Sequence, residues 1–134
     1  MEVEATVQAQ VLAAMAWCDG EFDHAERMFY LAFLDGTPGT DAVRAELLGL
    51  LDAPPDRGAL VEAFGKLPRE RGLEVLKQAY LMGMANERLQ DEERALLGQL
   101  ARRIGVTEAT LPKFYEMLGC FYRAWRLESE LFGR

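Results

Sequence analysis

The sequence is short of the groups that most often mark a reaction. Its 134 residues include one histidine, His24, one serine, Ser129, and two cysteines, Cys18 and Cys120. Structural zinc sites draw on closely spaced cysteine pairs, which two isolated cysteines do not supply. Nothing in the spacing brings Ser129 to His24, so a Ser-His-Asp arrangement has no support. The glycines are scattered at expected helix ends and no Gly-Lys-Ser/Thr occurs, which excludes a phosphate loop. No apolar run approaches the roughly 20 residues needed to span a bilayer. Glu2 and Glu4 stand where a secretory leader would be basic. The expectation is a cytoplasmic chain with reduced thiols and no membrane insertion. Basic charge is also scarce: 15 Lys and Arg against 22 Asp and Glu give a net charge of -7, and the pI is about 4.8. Nucleic-acid binding needs a basic field, so that class is disfavoured. An acidic surface suits metal cations, basic partner surfaces or plain solubility.

What is present is helical periodicity. Half of the residues are apolar and 28% are charged, as expected of one globular domain over residues 1–134 that buries its core without staples. Val3, Val7, Val11, Ala14, Met15 and Cys18 recur every three or four positions and predict a first helix from about Val3 to Cys18. A second starts near Asp23, with Phe29, Ala32 and Phe33 inward, and ends near Asp35-Gly36. A third, capped by Thr40 or Asp41, is expected to bury Val43, Leu47, Leu48, Leu50 and Leu51. Pro54-Pro55 breaks the chain and reads as a connector between halves. A short helix from about Arg57 to Gly65 follows. The next runs from about Arg69 to Asn86, with Leu73, Leu76, Tyr80 and Met84 on one stripe. Another runs from Gln90 or Asp91 to Ile104, and the last starts at Thr107 or Pro112. No stretch alternates as a strand does. The predicted class is all-α, a six- to seven-helix bundle.

Two acidic turns organise this pattern. Met15-Ala16-Trp17-Cys18-Asp19-Gly20-Glu21-Phe22-Asp23-His24-Ala25-Glu26 reads as a helix end, a tight turn and a helix start. A weaker copy, from Met82 to Glu93, lies 67 positions on. At that offset Asp19 aligns with Asn86, Gly20 with Glu87, Phe22 with Leu89, Asp23 with Gln90, and Glu26-Arg27 with Glu93-Arg94. The bundle is thereby expected to consist of two pseudo-repeated helical hairpins.

These residues resemble a family. An apolar helix ending in Ala16-x-x-Asp19-Gly20, then Glu21-Phe22-Asp23-x-x-Glu26-Arg27, looks like the TerB-like domain of tellurite-resistance proteins. Related domains occur at the start of some membrane-anchored J-domain co-chaperones. The resemblance implies a seven-helix bundle with acidic residues gathered at the turns, and a role in divalent cation binding or stress signalling without a settled enzymatic reaction. This chain departs from the pattern at Asn86-Glu87, where Asp-Gly would stand.

Two readings of the turns compete. Asp23 and Glu26 have the spacing of a capping box, and acids at a helix N-terminus contribute roughly 0.3 to 1 kcal/mol each. Gly20 suits a left-handed helix stop. Alternatively Asp19, Glu21, Asp23 and Glu26 form a divalent cation site, with Asn86, Glu87 and Glu93 as candidates in the second turn. An all-oxygen set favours Ca²⁺ or Mg²⁺ over Zn²⁺. The loop is no EF-hand, since its glycine follows the first aspartate directly. Asp19 is hardest to explain by capping, because an acid after a helix C-terminus meets the unfavourable end of the dipole. His24 is expected to face solvent. On the last helix, Phe114, Tyr115, Phe121, Tyr122 and Trp125 cannot all face one core. Tyr122 and Trp125 are therefore candidates for a partner or homodimer surface.

Overall fold

Where apolar residues recur every three to four positions, the chain is helical. The computed structural model describes residues 2–86 and 88–133, with the backbone alone at positions 2 and 86. It contains α1 (Glu2–Trp17), α2 (His24–Asp35), α3 (Asp41–Leu48), α4 (Arg57–Gly65), α5 (Arg69–Gly83), α6 (Asp91–Arg103) and α7 (Leu111–Phe132). Two 3₁₀ turns, Gly49–Leu51 and Met84–Asn86, follow α3 and α5. No strand occurs among the described residues, and the fold is an all-α bundle of seven helices.

Local chemistry sets the helix starts. Asp23, Thr40 and Asp56 cap α2, α3 and α4, each accepting a backbone N–H three residues on. Pro112 sits in the first turn of α7, where its missing N–H costs nothing.

The core is one contiguous cluster, centred where α1 packs along α5. Val11, Leu12 and Met15 of α1 and Val75, Leu76 and Met82 of α5 are fully buried there. Helices α2 and α4 lean on α1, while α6 and α7 lean on α5. Tyr30 donates its hydroxyl to Leu47 O at 2.6 Å and Trp17 its indole N–H to Leu50 O at 2.7 Å. These two bonds tie α3 and the turn after it to the first hairpin.

Four expectations need correction. On α2 the buried apolar residues are Tyr30 and Leu34, while Phe29 and Phe33 are half-buried and Ala32 is exposed. The buried residues of α5 are Gly72, Val75, Leu76, Ala79, Leu81, Met82 and Gly83; of the expected Leu73–Leu76–Tyr80–Met84 stripe only Leu76 is among them, while Leu73 and Tyr80 pack half-buried against the core. Small residues decide that face, because glycine lets a neighbour approach the backbone. A Cβ on Gly72 would stand 2.7 Å from Ile104 Cγ2. Helix α5 also ends at Gly83, short of Asn86, and its last turn tightens into 3₁₀ form. In α3 only Leu47 is buried and Leu48 is 40% exposed, while Val43, Leu50 and Leu51 pack half-buried against the core.

The methionines divide. Met15 and Met82 are fully buried, whereas Met28 and Met117 are exposed. Among the described residues no helix is long and apolar enough to cross a membrane.

Candidate functional site

The first acidic turn is held by three local devices. Gly20 takes φ 84°, a conformation only glycine adopts without strain, and turns the chain out of α1. Asp19 Oδ1 accepts the Glu21 N–H at 3.1 Å, so this aspartate serves its own loop. Asp23 Oδ1 accepts from Glu26 N at 2.9 Å, and Glu26 Oε1 accepts from Asp23 N at 3.1 Å, a complete capping box.

Between them Phe22 is buried, edge-on to Trp17 and Tyr30 at 5.9 and 5.5 Å. Arg27 donates Nε to Phe22 O at 2.9 Å, and its guanidinium lies 5.7 Å from the ring centre. The turn is therefore anchored in the core at Phe22 while Asp19, Glu21 and His24 remain exposed and Asp23 half-buried.

The second turn repeats the plan with different residues. Glu93 Oε1 accepts from Gln90 N at 2.8 Å, reproducing the returning arm of the capping box 67 positions on. Leu89 takes the place of Phe22 and packs against the core. The 3₁₀ turn Met84–Asn86 replaces the Gly20 reversal. Two sequence-predicted candidates, Glu87 and the side chain of Asn86, lie outside the described residues.

Tertiary structure brings the two turns together. Glu26 and Glu93 are 3% and 4% exposed, the only buried charged residues among those described. Burial pushes the Glu26 carboxyl up to about 8; the bond from Asp23 N opposes this, and the charges of Asp23, Asp19 and Glu93 add to it. Burial likewise raises Glu93 to about 7, opposed by the bond from Gln90 N and reinforced by Asp19, Asp23 and Glu92. Glu93 of the second turn thus feels both aspartates of the first.

Glu93 Oε2 lies against α5. A Cβ on Gly83 would come within 3.2 Å of it and within 3.0 Å of Met15 Cε of α1. The carboxyl therefore sits beside the seam between α1 and α5.

This arrangement gathers carboxyl groups from both hairpins. Each buried glutamate uses Oε1 for its cap, and Oε2 is not needed there. Among the described residues, no three His, Cys, Asp or Glu side chains stand close enough to enclose an ion. Cys18 is the nearest thiol. Burial pushes it up to about 11 against the lowering effect of Arg57, so it stays protonated at neutral pH.

The sequence marked Glu26 and Glu93 as candidates but not as buried. The clue available was that both precede an arginine, Arg27 and Arg94, at the same offset. Both arginines lie over aromatic rings, Arg94 at 5.0 Å from Tyr115.

The other candidate region is on α7. Phe114 and Leu118 enter the core. Tyr122 is half-buried and meets Tyr80 edge-on at 6.1 Å. Trp125, 41% exposed, stacks on Tyr122 at 6.3 Å. Compared with family models, with curated proteins and with solved structures, the chain matches none.

Proposed function

We propose that this chain is a TerB-like binding domain without catalytic turnover, and that its paired acidic turns take up a divalent cation in exchange for protons. The observation that supports this reading is the burial of Glu26 and Glu93, one from each hairpin, beside Asp19 and Asp23. A buried carboxyl relieves its charge by holding a proton or by meeting a cation. Glu26 and Glu93 would supply their Oε2 atoms, with half-buried Asp23 beside them, Asp19 and Glu21 at the exposed rim, and Glu87 and Asn86 as second-turn candidates. Ca²⁺ or Mg²⁺ suits this donor set better than Zn²⁺. When bound, the ion would supply positive charge that joins the two hairpins. A stress-response or tellurite-resistance setting belongs to the same reading, through the family resemblance.

The test is a thermal melt of chelator-treated protein against Ca²⁺, Mg²⁺, Mn²⁺ and Zn²⁺, repeated on Glu26→Gln and Glu93→Gln. Glutamine keeps the cap bond, so both variants should fold. One ion should raise the melting temperature of the parent, through a stabilisation of about 2.7 kcal/mol at 100 times its dissociation constant, and do so less in either variant. No shift with any ion at millimolar concentration would falsify the cation reading.

A second reading has its own observation. Trp125 and Tyr122 form a stacked, partly exposed aromatic pair at the edge of the bundle, as a metal-free protein-interaction module would present. Trp125→Ala would then abolish partner binding without altering any ion response.

A further inference from the structure

Helix α7 carries a second apolar stripe that its own fold does not use. Met117, Cys120, Ala124, Leu127 and Leu131 recur at spacings of three, four, three and four, the strict a/d pattern of a coiled-coil seam. At about 100° per residue the stripe is centred roughly 140° around the helix from the core-facing Leu118. Its members face solvent: Met117 is 37%, Leu127 58% and Leu131 74% exposed, and Cys120 and Ala124 are exposed. The aromatic pair Tyr122–Trp125 lies on the core side of the helix and is separate from this seam.

We propose that the seam pairs α7 with α7 of a second copy of this chain, antiparallel, about a two-fold axis passing between Trp125 and Arg126. Side-chain size argues for this register. Its four apolar layers, two of them independent, then set a small residue against a large one: Ala124 against Leu127 of the second copy, and Cys120 against Leu131 of the second copy, with Met117 beyond the paired stretch. Parallel pairing would stack Ala124 on Ala124 and Cys120 on Cys120, alternating underfilled layers with crowded leucine layers. Charge argues for a second copy as the occupant. Arg123 and Glu130 flank the seam on one side, and the antiparallel register brings Arg123 of each copy to Glu130 of the other, twice by symmetry, in place of the contact that Arg123 Nη2 makes with Cys120 Sγ at 3.1 Å within the chain. Parallel pairing would bring Arg123 to Glu128 instead, so the charge exchange with Glu130 distinguishes the two registers. Phe114 and Leu118 fasten the first part of the helix to its bundle, and residues 123–133, which carry most of the seam, are exposed apart from half-buried Ser129. The two bundles fall on opposite sides of the paired helices, so they do not obstruct closure.

Sedimentation equilibrium of the full chain tests this. The mass should rise with concentration from 15.1 kDa to about twice that value. Leu127→Glu, on an exposed position, should return the chain to monomer with unchanged helicity by circular dichroism. Arg123→Glu should weaken association at least about tenfold, and Arg123→Glu combined with Glu130→Arg should restore it. In Leu131→Cys, oxidation should join the introduced thiol to Cys120 of the second copy, read as a cross-linked peptide by mass spectrometry. A chain that stays monomeric into the millimolar range, or a dimer indifferent to both Leu127→Glu and the charge exchange, overturns the proposal. A Cys120–Cys120 link formed in the unaltered chain overturns the antiparallel register.

Discussion

Glu26 and Glu93 each serve two opposed demands. As third residues of α2 and α6 they gain from ionisation, since a carboxylate there meets free N–H groups and the positive end of the helix dipole. As buried groups they lose from it. Their raised values, about 8 and about 7 against 4.5, say that burial wins. The folded state then binds more protons than the unfolded state. Its advantage is complete below the unfolded value and is lost as pH rises through the folded ones. Chelated protein should therefore lose stability between about pH 5 and pH 8 in urea melts. Glu26→Gln should flatten that decline and leave the variant more stable than the parent at pH 8. A flat parent profile would mean that both carboxyls find solvent relief in solution.

At the scale of elements, close approach between helices depends on where side chains are missing. Gly98 is buried in α6, and a Cβ there would stand 2.6 Å from the Tyr115 hydroxyl of α7. That hydroxyl donates to Arg94 O at 2.9 Å, one turn earlier on α6. Alanine is the better helix former, but here it must displace a ring engaged at its far end. Gly98→Ala should destabilise the protein by about 1 to 3 kcal/mol in chemical denaturation. The same effect explains the misread face of α5. Periodicity counts large apolar residues, and it passed over buried Ala79 and over Gly72 and Gly83, where neighbouring side chains approach the backbone closely. Helix boundaries were more legible. Asp23, Thr40, Asp56 and Pro112 mark starts by side-chain chemistry that acts within four residues.

For the molecule as a whole, the packing of α1 along α5 sets the two turns side by side. Glu93 raises the Glu26 carboxyl, and Asp19 and Asp23 raise that of Glu93. Removing one buried charge should relieve the other. At pH 8 without divalent ions, Glu26→Gln and Glu93→Gln together should stabilise by less than the sum of the two singly, with a coupling of at least about 0.5 kcal/mol. Strict additivity in that double-mutant cycle would separate the turns electrostatically and remove the main support for a shared cation site.

The sequence by itself determined the helical class, the Asp23–Glu26 capping box, the Gly20 reversal and the correspondence of the two turns across 67 positions. Each of these rests on interactions within a turn or two of helix, or on a 3.6-residue period, and so is written in neighbouring residues. Only the tertiary structure decided that Glu26 and Glu93 are buried while Asp19 and Glu21 are not. It also decided which side of α7 meets the bundle, burying Phe114 and Leu118 and leaving the Met117–Leu131 seam exposed. Burial is set by what packs on a residue from elsewhere in the chain, here α1 against α5 and the bundle against one face of α7, and no local pattern carries that information.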